Sequence, residues 1–305
     1  MRIAALPALL ALSACNGSPA QPGNETTPPT VTSTEVPECP ADAGVMDGWD
    51  DRAPPRKIFG NVYYVGTCGI TALLVTSPQG HVVLDGATEA GGPAIAANTE
   101  ALGFNPADVK YLLNSHEHSD HAGGLAHLQA VTGAPVLVLE PAVATLQRGT
   151  SDGGDPQSGV LGGFPPVAKV QMLGAGATIN VGDLAFTAHA TPGHAPGGTS
   201  WTWISCDGPQ CLRMAYVDSL SAASDNTYRF SDHPDYVAAF RHTLDTVEAL
   251  ECDVLITPHP SASQLWQRME PAATQPLVNA GACKDYAEQA RQRLDKRLAD
   301  EAATP

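Results

Sequence analysis

The chain has 305 residues, 43% of them hydrophobic, enough to bury a substantial core in one large domain or two small ones. Its 32 acidic residues outnumber 16 basic ones and leave a net charge of −16. Such a surface repels polyanions, which argues against nucleic acid or anionic lipid as a partner of the folded surface.

The N-terminus reads as an address. Met1-Arg2 precedes the apolar Ile3 to Leu12 and then Ser13-Ala14-Cys15. Residues 1–15 are too short to span a bilayer and fit a secretory signal. Leu12-Ser13-Ala14-Cys15 resembles the bacterial lipobox, which implies cleavage before Cys15 and lipidation of that residue. An ordinary signal with a chance cysteine is the other reading. With Asn16 following, the resemblance points to the periplasm and an outer-membrane lipoprotein, touching the membrane through that anchor alone. Residues 16–45, rich in Pro, Thr, Ser and Gly, cannot form a core and read as a flexible tether. Residues 46–305 are then the folded domain. Residues 43–60, with Trp49 and Pro54-Pro55, read as an ordered arm leading into the first strand.

Apolar runs and alternation predict strands near 61–65, 71–76, 81–84, 109–114, 136–139, 168–172, 184–190, 200–205, 212–217 and 253–257. Helical spacing predicts helices near 92–102, 122–132, 234–250 and 284–299. In 234–250, Tyr236, Val237, Phe240, Leu244, Val247 and Leu250 share one face, and Pro234 suits the first turn. Strand runs followed by helices, twice over, suggest two similar halves. The glycine-rich segment 149–163 is long enough to cover a site, although a free surface loop fits as well. Cys206 and Cys211 bracket a turn between two strands, where a disulfide is expected in an oxidising compartment.

Chemistry concentrates at His116-Glu117-His118-Ser119-Asp120-His121, where a strand opens into a loop. Three of the chain's 10 histidines fall in these six positions. Imidazole and carboxylate are ligands that zinc prefers from nitrogen and oxygen donors. Alternate residues of an extended segment point the same way, so His116 and His118 can close on one metal. Asp120 and His121 suit a second. Two sites with three protein ligands each keep room for water, the catalytic pattern, and need two further ligands. His194, in Thr191-Pro192-Gly193-His194, and His259, in Thr257-Pro258-His259-Pro260, each lie at a strand exit.

These residues resemble a metallo-β-lactamase-fold hydrolase, and within it the subclass (B three) of true β-lactamases that uses only His and Asp ligands. The supporting stretches are Gly66 to Thr71, Asp85-Gly86, Thr191 to His194, Asp218-Ser219-Leu220-Ser221, Cys252 to Pro260 and Cys283-Lys284. The resemblance implies an α/β fold, a four-layer αβ/βα sandwich with metals at the edge between its sheets. It puts His116, His118 and His194 on a first zinc, and Asp120, His121 and His259 on a second, so two Zn2+ per chain. The sister subclasses place a Cys on the second metal where this chain has Ser219. Cys252 cannot replace it, since seven extended residues put it roughly 23 Å from His259.

The resemblance further implies hydrolysis of the β-lactam ring by a metal-activated hydroxide that Asp120 helps to orient. Ser221 together with Ser219 would receive the substrate carboxylate. Cys252 with Cys283 matches a pair seen across the family, and Cys39 with Cys68 is left by elimination; a structural zinc on these sulfurs is the competing reading. A monomer acting on a small-molecule β-lactam is expected. Two other readings compete: a lactone or thioester hydrolase, with Asp218 bridging the metals as in some relatives, and a non-catalytic zinc-binding envelope protein. His127 could support the metals from behind; His81, His189, His233 and His242 read as structural.

Overall fold

A computed structural model describes residues 36–270 and 273–303. The expected signal, Cys15 and the tether up to residue 35 lie outside the described residues. Among the described residues one sheet has the order β1 (Arg56–Phe59), β2 (Val62–Tyr64), β3 (Leu73–Ser77), β4 (Gly80–Leu84), β5 (Val109–Leu113), β6 (Val136–Leu139), β7 (Val170–Leu173). The other comprises β8 (Thr178–Val181), β9 (Leu184–Ala190), β10 (Thr199–Asp207), β11 (Gln210–Tyr216) and β12 (Val254–Ile256), in order β12-β11-β10-β9-β8.

Pairing is antiparallel from β1 to β4 and from β8 to β11, and parallel for β4-β5, β5-β6, β6-β7 and β11-β12. Parallel neighbours need a crossover, usually a helix. Here α1 (Gly91–Ala101), α2 (Ser119–Ala122) with α3 (Leu125–Thr132), α4 (Glu140–Arg148) and α5 (Pro234–Glu248) supply them; α6 (Leu265–Met269) and α7 (Ala282–Ala303) follow β12.

The strand period of two sorts apolar side chains into layers. Leu73, Val82, Leu84, Leu113 and Leu137 face Phe186, Trp201, Trp203, Met214 and Tyr216 between the sheets. Their neighbours Leu74, Val83, Leu112, Val136 and Val138 pack outward on Ile95, Leu125, Leu128 and Leu146 of the helices. Ala215, Val217 and Leu255 do the same against Phe240, Leu244, Val247, Ala290 and Leu294 of α5 and α7. Each such Val, Leu, Ile, Phe or Met side chain contributes about 1.5–3 kcal/mol by leaving water. The result is the expected four-layer αβ/βα sandwich.

Four elements escape the sequence pattern. The edge strands β1 and β8 are four residues long and half-exposed, so they carry no apolar run and depend on their neighbours. The helices α4 and α6 are short, nine and five residues. The helix expected over 122–132 is divided at Gly123-Gly124. A Cβ on Gly124 would stand 2.2 Å from Gly86 O, and one on Gly123 2.5 Å from Glu89 N. Bare backbone is what lets this segment press against the turn after β4.

Disulfides join Cys39–Cys68, Cys206–Cys211 and Cys252–Cys283, and the second spans directly opposed residues of the β10–β11 hairpin. The first changes the reading of residues 36–45 as the end of a free tether. Besides that bond, Glu38 pairs with Arg56 and Gln267 donates to Ala41 O, so the chain is fastened from about Glu38 onward. The arm also contains β1.

Candidate metal centre

Side chains at the carboxyl ends of β5, β9, β11 and β12 converge at one edge of the sandwich, where α/β sheets commonly place ligands. After β5 the chain bends at Ser115 and again at His118, and His118 (ψ 152°) stands as the N-cap of α2. His116 and His118 therefore precede the helix, while Asp120 and His121 lie in its single turn.

Asp85 holds this turn from below. It is fully buried in the left-handed region at φ +65°, a strain of about 1–3 kcal/mol for a non-glycine residue. Four hydrogen bonds offset it. Its carboxylate accepts from Ser115 N at 2.6 Å, Ser115 Oγ at 2.7 Å, Asn114 Nδ2 at 3.1 Å and Tyr216 Oη at 2.7 Å.

His116, His118 and His194 form a first triad, with one ligand atom of each within 4.8 Å of the others. The far nitrogen of every ring is occupied. His116 Nδ1 lies 2.7 Å from Asp218 Oδ1, His118 Nε2 2.9 Å from Asp155 Oδ2, and His194 Nδ1 2.9 Å from Ser221 Oγ. Bonds of this kind orient metal-ligating imidazoles and select their tautomer. The nitrogen of His116 that faces its partners, Nε2, is buried without a hydrogen bond.

A second triad adjoins the first. Asp120 Oδ2 is 3.1 Å from His121 Nε2 and 3.3 Å from His259 Nε2, and the two nitrogens are 3.3 Å apart. Ligands about 2.0 Å from a tetrahedral zinc stand about 3.3 Å from one another. His116 also lies within 4.8 Å of Asp120 and His121, so the triads abut.

The electrostatics suit a cation. Burial and the neighbouring His121, His118 and His194 push His116 well below its ordinary value. Burial lowers His194 to about 3 and lowers His259 as well. These shifts favour the neutral rings that ligation requires. Burial opposes charge on Asp120, yet His121 and His259 outweigh it and hold the carboxyl well down. Burial likewise opposes charge on His121, but Asp120 and Asp85 raise it to about 10. A proton and a metal ion compete for that nitrogen's lone pair. Five imidazoles and one carboxylate with this spacing fit zinc.

All six sequence-predicted ligands are thus brought together. Ser221 stands beside His194, and Ser219 is 8% exposed nearby in the chain. His127 is exposed on α3, and His189 bonds Thr202 Oγ1 at 2.8 Å, so neither joins the triads. Asp218 lies behind the His116 ring, outside both triads.

Sequence reasoning missed three contributors. Glu117 points away from its flanking histidines and accepts Gly197 N–H at 2.9 Å, tying the two metal-bearing loops together. Asp155 and Gln157 come from the glycine-rich segment 149–163, which folds over the site; Gln157 Nε2 is 3.4 Å from His194 Nε2. That segment has no periodicity to reveal them.

The family model of the Metallo-beta-lactamase superfamily matches residues 65–207. The metallo-beta-lactamase SMB-1, solved with 2-mercaptoethanesulfonate, is 47% identical, with 83% of this chain and 99% of that one covered and a TM-score of 0.81. MEM-A1, a subclass B3 metallo-beta-lactamase from a soil metagenome library, is 42% identical over 84% of this chain and 100% of that one, with a TM-score of 0.81. The N-acyl homoserine lactonase AttM of Agrobacterium fabrum is 32% identical over 210 residues, 58% of this chain and 73% of the lactonase.

Proposed function

Because this chain belongs to the metallo-β-lactamase superfamily, whose hydrolases include its B3 structural neighbours, we propose that it hydrolyses the β-lactam ring of penicillins, cephalosporins and carbapenems. The observation that carries the reading is the second triad of Asp120, His121 and His259, beside a first triad of three histidines. Two Zn2+ per chain are proposed, one on each triad. Bound zinc would supply a Lewis acid for the carbonyl and a water acidified towards neutrality.

The chain's own residues do the positioning. Asp120 keeps one oxygen between His121 and His259, and its carboxylate can also orient the attacking water. Ser221 accepts from His194 Nδ1 when that nitrogen carries its proton, leaving the serine O–H to donate to a substrate carboxylate. Ser219, two residues earlier, is proposed to share that contact with the substrate carboxylate. No serine nucleophile is invoked, so no acyl-enzyme forms.

Lactone hydrolysis is the second reading, favoured by the lactonase relative. In that reading Asp218 would bridge the metals. Against it, Asp218 Oδ1 is 2.7 Å from His116 Nδ1, on the far side of that ring from the triads. A monomeric periplasmic lipoprotein, anchored through Cys15, completes the proposal.

The test is hydrolysis of a chromogenic cephalosporin and of an acyl homoserine lactone by purified protein, with and without chelator. Lactam turnover that chelation abolishes and zinc restores is expected. Lactone turnover without lactam turnover would reverse the reading, and activity without metal would refute it.

A further inference from the structure

The loop between α4 and β7 has little regular structure, yet it is anchored in several places. Gly149 closes α4 at φ +76°, and Phe164 N–H returns to Gly149 O at 2.8 Å. Midway, Asp225 N–H donates to Pro156 O at 2.9 Å and Gly159 N–H donates to Asp225 Oδ2 at 3.1 Å. Between these anchors Asp155 turns inward and is 3% exposed. Its Oδ1 accepts Gln157 N–H at 2.8 Å, and its Oδ2 stands 2.9 Å from His118 Nε2.

An ionised carboxylate accepts only, so this hydrogen bond requires the proton on His118 Nε2. The remaining lone pair is then on Nδ1, the nitrogen left to meet His116 and His194. A free imidazole divides between tautomers and turns about its bonds; the Asp155 contact removes both freedoms before a metal arrives. His116 and His194 take their partners from Asp218 and Ser221, which lie close together in the chain. His118 takes its partner from the loop.

We propose that Asp155 is a positioning residue for the first metal site, so that segment 149–163 supports the metal as well as covering it. Displacing the loop breaks the contact with His118, and loop opening and metal affinity become coupled. The inference rests on the metal-centre reading and is independent of which acyl bond is cleaved, so its measurement is metal affinity.

Wild type, Asp155→Ala, Asp155→Asn and Asp225→Ala are titrated with zinc against a chromophoric chelator. Asp155→Ala should weaken the first zinc roughly 10- to 100-fold, the range for losing such a partner, with the second unchanged. Asp155→Asn, whose amide oxygen can accept the same N–H, should recover most of that loss. Asp225→Ala releases Gly159 without touching His118 and should weaken the first zinc much less. Nitrogen-15 NMR of the wild type should find His118 protonated on Nε2. Unchanged affinity in Asp155→Ala would overturn the proposal, as would an Asp155→Asn variant that binds no better than Asp155→Ala or a proton on His118 Nδ1. Loss of lactam hydrolysis with these affinities as expected would refute the substrate reading alone.

Discussion

Replacing His121 by alanine tests the second triad directly. The ring is fully buried, and its Nε2 completes a triangle with sides of 3.1, 3.3 and 3.3 Å. Without it, Asp120 and His259 remain as two donors, while His116, His118 and His194 keep the first triad. Zinc content should therefore fall from two ions towards one. Losing charge stabilisation at the departing lactam nitrogen should slow turnover on the order of 10²-fold, or about 2.7 kcal/mol of barrier at 1.36 kcal/mol per decade. Binding through Ser221 should change less, so kcat should fall more than KM rises. The assay is zinc stoichiometry by elemental analysis beside steady-state hydrolysis of one cephalosporin. Two zincs and full turnover in the variant would refute the assignment.

Other perturbations probe the frame. Glu301 is 7% exposed and accepts from Phe230 N, Ser231 N and Arg297 Nε; burial opposes its charge, but these donors lower it from 4.5 to about 2. Its contribution is fully present above the unfolded value near 4.5 and is lost as pH falls through about 2. Glu301→Gln should cost about 1.5–3 kcal/mol at pH 7, with the gap in unfolding free energy closing below pH 4.5; a pH-independent gap would contradict this. Gly198→Ala places a Cβ 2.3 Å from Thr191 O and 2.6 Å from Asp218 Oδ2. That crowding should cost about 1–3 kcal/mol and weaken the first zinc, so unchanged denaturation and zinc affinity would count against it. Cys15→Ala should abolish fatty-acid labelling in cells and release a soluble form; an unlabelled wild type would show the lipobox match to be fortuitous.

Local pattern made the ligands legible. Three imidazoles and two carboxylates within six residues identify a metal motif because neighbours in sequence must be neighbours in space. His194 and His259 were legible because a strand that breaks at a glycine or proline delivers its next side chain to the sheet edge. The layers followed from strand alternation and helical spacing, which are short-range consequences of backbone geometry. Only the tertiary structure decided what stands behind the ligands. Asp155 reaches His118 across 37 residues, Glu117 reaches Gly197 across 80, and Asp218 reaches His116 across 102. No periodicity encodes such pairs, because they depend on where two sheets and an irregular loop come to rest. The same holds for the edge strands β1 and β8, whose few half-exposed residues become strands by pairing with a neighbour already in place.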